Sequence, residues 1–169
     1  MKLGEGVEQA IHSVTLLARA SGESVLAASA LAEFHGISPS YLLKHLQAMS
    51  KAGILATVPG PSGGYRLARV PQKITLLDIV LAVEGAQPAF RCAEIRQRGP
   101  DPLPGPAPTT PCEINAAMLR AERAYRAELA KVTIADILAQ VAAKDGSGRV
   151  EARVCAFIEL RERRQATSI

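Results

Sequence analysis

The sequence predicts a mainly α-helical fold with one small β-hairpin, and three observations predict it. Hydrophobic residues make up 48% of the 169, yet aromatics supply only 4% and Trp is absent. The core must therefore come from Leu, Ile, Val and Ala, which suits packed helices better than a sandwich. Apolar residues recur at helical spacing along most of the chain, and β-prone runs are confined to 54–58 and 65–69. Gly and Pro cluster at PGPSGG (59–64), RGPDPLPGPAPTTP (98–111) and DGSG (145–148), where they separate the periodic stretches.

Residues 5–20 read as a helix, with Val7, Ala10, Ile11, Val14, Leu17 and Ala18 on one face and Glu8, His12 and Thr15 on another. Ser21-Gly22 ends it. Residues 27–34 form a short helix around Ala28, Leu31 and Ala32, broken at His35-Gly36-Ile37, where Gly36 can take the left-handed conformation of a sharp turn. Ser38 as N-cap and Pro39 at the first helical position open the next helix. It runs to about Ala52, buries Leu42, Leu43, Leu46 and Met49, and stops at Gly53. Helix, short Gly-containing turn, helix is the helix-turn-helix plan. The runs 54–58 and 65–69 joined by PGPSGG then predict a hairpin, a wing. Residues 75–84 resume as an amphipathic helix that Gly85 ends. The Pro-rich stretch 98–111 excludes regular structure. A long helix from about Glu113 to Lys131 carries an apolar stripe of Ile114, Met118, Ala121, Tyr125 and Leu129, which is either intramolecular core or a dimer seam. A short helix at 133–143 and a charged helix at 149–164 complete the chain.

The fold class is thus a winged helix-turn-helix followed by a long dimerisation helix. The expected organisation is 1–85 as DNA-binding domain, 86–112 as a cysteine-bearing loop, 113–132 as dimerisation helix and 133–169 as C-terminal helices and tail. The net charge of +4 decides little, but its distribution does more. From Phe34 to Leu77 there is no Asp or Glu, while Lys44, Lys51, Arg66, Arg69 and Lys73 lie there. An acid-free basic segment is the footprint of a phosphate-binding face. A recognition helix reads the major groove from its N-terminal side, which nominates Ser38, Ser40, Tyr41 and Lys44, then Gln47 and Lys51. Gln47 can pair with adenine, and the lysines release counterions from phosphates. In the wing, Ser62, Gly63 and Gly64 allow close backbone approach, and Arg66 can reach the DNA backbone or minor groove.

The stretch SPSYLLKHLQAMSKAGILATVPGPSGGYRLAR resembles the helix-and-wing signature of the IscR/NsrR-type (Rrf-two) family, GGYRLAR being its most specific part. The resemblance continues through ITLLDIVLAVEG, the cysteine region, the long helix and TIADIL, over nearly all of residues 1–140. It implies a homodimeric winged-helix regulator of transcription, most readily a repressor, on near-palindromic promoter operators in double-stranded DNA. Many members carry an iron–sulfur cluster that senses redox state, nitric oxide or cluster supply. The helix from Glu113 would be the dimerisation helix.

Cluster-bearing members usually place three cysteines in a short loop before that helix. This chain keeps Cys92 and Cys112, has prolines between them, and carries Asn115 where some members have a ligating His. Two thiolates cannot hold a cluster that needs four protein ligands, so nitrogen or oxygen ligands must complete it. Mixed ligation has precedent in two-iron centres, which makes a [2Fe-2S] cluster the expected cofactor. By the same resemblance, an acidic residue in the first helix, donated by the partner subunit, serves some relatives, and Glu8 occupies that stretch. His35, in the turn beside Gly36, is the other expected ligand; Glu5 and His12 are rivals, and His45 is expected to face DNA or solvent. Cys155 is expected to be a small buried hydrophobe.

Two rivals keep the fold and discard the cluster: a reversible Cys92–Cys112 disulfide, or a small-ligand sensor with an apolar pocket near the dimer helix. An enzyme finds no support, because there is no nucleophile motif or phosphate loop. Three well-separated cysteines do not form a disulfide framework, and the opening residues carry no sustained apolar run. No stretch approaches the roughly 20 apolar residues of a membrane span. The expectation is a cytoplasmic protein in a reducing compartment.

Overall fold

The computed structural model describes residues 3–20, 24–101, 105 and 112–164. The proposed stop at Ser21-Gly22 and most of the Pro-rich stretch lie outside them.

Helix α1 spans Glu5–Leu17 and buries Val7, Ala10, Val14 and Leu17, the face that its periodicity predicts. Strand β1, Ser24–Val25, leads into α2, Ala28–His35. Gly36 caps α2 in the left-handed region at φ 66°. Helix α3, Pro39–Lys51, starts after Ser38 with Pro at its first position. The Ser38 hydroxyl bonds the Ser40 hydroxyl at 3.0 Å and makes no capping bond to the helix backbone. Strands β2, Leu55–Val58, and β3, Gly64–Leu67, pair antiparallel with Leu55 opposite Leu67 and Thr57 opposite Tyr65. Leu26 and Tyr65 exchange backbone hydrogen bonds of 3.0 and 2.8 Å, which tie the hairpin to the segment entering α2. The architecture is mainly helical with a small antiparallel hairpin, a winged helix-turn-helix with helices behind it.

Helices α4, Leu76–Glu84, and α6, Ile134–Lys144, begin alike. Thr75 and Thr133 each accept from the backbone N–H of an Asp three residues on, Asp78 or Asp136, and that carboxylate accepts back from the Thr N–H. The two starts lie side by side, with Leu76 N–H donating to Val132 O at 2.9 Å and Ile134 N–H to Ile74 O at 2.9 Å. Between them α5, Glu113–Ala130, runs along the surface. Helix α7, Arg149–Arg161, returns to the N-terminal part, and strand β4, Arg163–Arg164, pairs antiparallel with β1. Val154, Ile158 and Ile134 enter the same core as Leu31, Leu42, Leu46, Met49, Ile54 and Ile79.

Three expectations about individual side chains are corrected. Leu43 is 38% exposed, because the buried face of α3 runs through Leu42, Leu46 and Met49 and Leu43 lies one step beyond it. His45 is only 6% exposed, not turned to DNA or solvent; it lies against Gly6 of α1, which has no side chain to exclude it. Cys155 is exposed rather than buried, because Val154 and Ile158 take the inward face of α7.

Candidate nucleic-acid interface and sensor site

Burial of Leu42, His45, Leu46 and Met49 leaves the opposite face of α3 in solvent. Ser38, Ser40, Tyr41, Lys44, Gln47 and Lys51 are all exposed there. From Tyr41 the positions advance by three or four residues, so they form one stripe along the helix. Tyr41 packs edge-on to His45 at 5.0 Å between ring centroids, which orients its phenol along that stripe. Burial, and then the Lys44 charge, hold the His45 imidazole below its ordinary pKa, against a smaller opposing effect of Glu84. A neutral ring suits its place under a basic surface.

In the wing, Ser62 is exposed at the hairpin tip. The two glycines beside it have a packing reason of their own. A Cβ on Gly63 would lie 2.1 Å from Val58 O, and one on Gly64 2.4 Å from Leu26 O. The hairpin therefore closes on itself and on the entry to α2 only with glycine at both positions. Arg66 stands opposite Ala56 and borders a pocket with Leu17, Ala18 and Ser24, at the inner end of the wing. Arg69, counted above within the basic footprint, is engaged inside the chain. Its guanidinium donates to Gly53 O at 3.1 Å and Lys73 O at 3.2 Å and approaches Asp78 at 3.7 Å, joining the end of α3 to the start of α4. Sequence reasoning missed this clamp because Gly53 and Asp78 lie 16 and nine positions from Arg69, and the Lys73 acceptor is a backbone carbonyl that any residue would supply.

The second candidate region lies in two parts. Cys92 and Cys112 are free, half-buried thiols, and Cys112 is the residue before α5. Cys92 Sγ donates to Glu94 Oε1 at 3.4 Å, and Arg96 pairs with Glu94 at 2.8 Å. Arg96 is held above its ordinary pKa first by the Glu94 hydrogen bond, with Cys112 and Glu113 adding to the effect. Cys92 thus borders the Glu94–Arg96 pair, and Cys112, 20 positions on (112 less 92), acts on Arg96 through charge alone. Glu94 is the one non-glycine with positive φ among the described residues, at 49°. The segment before it is pinned to α5: Arg126 donates to Ala86 O at 3.0 Å, and Glu122 accepts from Ala89 N–H at 3.0 Å.

The other part is on α1 and α2. Glu8 and His12 are exposed one turn apart and border the same shallow pocket with Ile11. The His12 ring lies 5.4 Å from that of His35, the last residue of α2. His35 Nε2 is buried and has no hydrogen-bond partner. Desolvation, then the charges of His12 and Arg153, keep this imidazole below its ordinary pKa, opposed by a hydrogen bond to the His12 backbone. A neutral imidazole with a free buried nitrogen is the form that ligates metals.

Among the described residues, no group of three or more His, Cys, Asp or Glu is placed to hold a metal ion. The two cysteines and the group of Glu8, His12 and His35 stand on different elements. Helix α5 carries no buried residue, and its Ile114 and Met118 are 66% and 44% exposed.

The family described as "Rrf2: Iron-dependent Transcriptional regulator" matches residues 3–140. YffB of Lactococcus lactis subsp. lactis (strain IL1403) is 31% identical over 137 residues, 81% of this chain and 86% of its own. The HTH-type transcriptional regulator IscR of Aliivibrio salmonicida (strain LFI1238) is 34% identical over 92 residues, 54% of this chain and 53% of its own. The solved structure of T. potens IscR superposes with a TM-score of 0.64 at 23% identity, covering 86% of this chain and 91% of that one. At that identity it speaks for the fold alone.

Proposed function

The chain belongs to the Rrf2 family of DNA-binding transcriptional regulators, and from that premise we propose that it works as a homodimer whose operator affinity is set by a [2Fe-2S] cluster held by Cys92, Cys112, Glu8 and His35. It is a regulator and not an enzyme. The DNA partner is a near-palindromic promoter operator, and the action is repression. Ser38, Ser40, Tyr41, Lys44, Gln47 and Lys51 meet the major groove, with Ser62, Gly63, Gly64 and Arg66 supporting from the wing. The exposed stripe on α3 favours this, and Arg66 serves best near the wing's inner end, where it can meet a flanking phosphate.

The observation that carries the sensor reading is the buried, unpartnered Nε2 of His35. A buried polar atom without a partner costs roughly 1–3 kcal/mol, so its retention asks for an explanation. A bound cluster supplies reversible one-electron chemistry at potentials that its ligands tune. Cys92 and Cys112 would bind as thiolates, the form of cysteine that ligates iron. Glu8 presents an exposed carboxylate, and His35 presents Nε2 in the neutral form that its surroundings enforce. His35 is the last residue before the Gly36 turn, and α3 starts at Pro39. Holding or freeing its ring therefore biases the turn that aims the recognition helix.

The test is purification without oxygen, with iron and sulfide analysis and a visible spectrum. We expect about two irons and two sulfides per bound cluster. Cys92→Ser or Cys112→Ser abolishes the visible bands, and His35→Ala shifts or removes them. A colourless, iron-free protein would overturn the cluster, and an unchanged spectrum in His35→Ala would remove His35 from it.

A further inference from the structure

A pocket of about 480 Å³ opens between α1, α2, α6 and α7. Its walls are apolar, chiefly Ile11, Leu16, Leu138, Val141, Val150 and Val154. At its edge stand Arg149 and Arg153. Arg19, also at the edge, is neutralised by Glu151 at 3.2 Å. Arg149 and Arg153 have no carboxylate within ion-pair distance among the described residues. Arg153 lies over the Phe34 ring, 5.4 Å from its centroid, which fixes the guanidinium beside the pocket. An apolar hollow of this size with a fixed guanidinium at its mouth is the usual build of a small-molecule site. Guanidinium is the group that grips a carboxylate through two parallel hydrogen bonds.

We propose that this pocket binds a monocarboxylate with an apolar body, its carboxylate on Arg153 and Arg149 and its body against α1, α6 and α7. The site goes beyond the cluster reading and does not need it. Helix α7 supplies both arginines and one wall, and it lies outside residues 3–140, the part shared with the family. The ligand bridges α7 to α1 and to Phe34 and His35 at the end of α2. Occupancy tightens the C-terminal helix onto the helix-turn-helix, and so stabilises one setting of the Gly36 turn.

Isothermal titration of the full-length protein, stripped of metal, with decanoate, decanol and decylamine tests this. Removing the metal keeps the outcome separate from that of the cluster. We expect decanoate to bind at least tenfold tighter than decanol, and decylamine not to bind. Arg153→Met with Arg149→Met should weaken decanoate at least tenfold and leave decanol unchanged. Val141→Trp should fill the hollow and abolish binding of both, with helix content checked by circular dichroism. Decanoate binding that persists in the double arginine variant overturns the carboxylate assignment. Absence of binding up to the solubility limit, as when a second copy of the chain covers the mouth, overturns the site.

Discussion

Gly6 and His45 show what a single residue position decides. His45 occupies the space where Gly6 lacks a side chain, and a Cβ there would sit 2.3 Å from His45 Cε1. Gly6→Ala should therefore destabilise the fold by about 1–3 kcal/mol, the usual cost of overpacking a filled core, read by urea unfolding. Helical periodicity could not reveal this contact, since it joins positions 6 and 45 on different helices, and His45 by itself reads as a polar residue on a DNA-facing helix. Its burial also has a pH consequence. The folded-state pKa lies below the unfolded value of about 6.5, so the stabilisation is complete above that value. It is lost as pH falls through the folded pKa, because the unfolded chain takes up the proton first. Unfolding free energy should fall as pH drops below about 6.5, and His45→Gln should flatten that fall.

Among the elements, α3 and α5 were the most legible, for opposite reasons. Ser38, Pro39 and Gly36 mark the start of α3 and the turn before it through backbone chemistry that needs no distant partner. Its exposed stripe followed once Leu42, Leu46 and Met49 were assigned to the core. Lys44→Ala should weaken binding to all duplexes and reduce the slope of log affinity against log salt by about 0.9. Gln47→Ala should instead relax preference at one base pair, by about 1–3 kcal/mol, in a competition assay with substituted operators. The wing was legible as a hairpin, but the reason for Gly63 and Gly64 was not. Their close contacts are to Val58 and Leu26 backbone, and Leu26 belongs to a different part of the chain. Helix α5 displayed its apolar stripe in sequence, and its first part, Ile114 and Met118, stays open in the folded chain while Tyr125 and Leu129 are half-buried. Met118→Glu with Ile114→Glu should yield monomers in analytical ultracentrifugation and leave the helical spectrum intact.

At the scale of the whole molecule, the chain returns on itself. Residues after 133 read as an appended pair of helices and a tail, yet α6 and α7 close the core of the N-terminal part. The Arg161–Glu33 pair at 2.7 Å and the β1–β4 pairing fasten that return. The ion pair and the strand pairing leave no trace in local pattern, because each joins positions more than 100 apart. The candidate sensor residues were visible only in part for the same reason: Cys92, Cys112, Glu8 and His35 follow from the family resemblance and their place in the chain, but the Cys92–Glu94–Arg96 contact and the bare Nε2 of His35 do not. Three residues, Gly36 to Ser38, join that imidazole to the recognition helix, and through them the proposed cluster would set the grip on DNA. The direct measurement is fluorescence anisotropy of one operator, selected from random duplexes, titrated with the same preparation before and after iron removal. Affinity should change at least tenfold, and the change should be lost in His35→Ala. Equal affinity in both states would rule out control by the cluster.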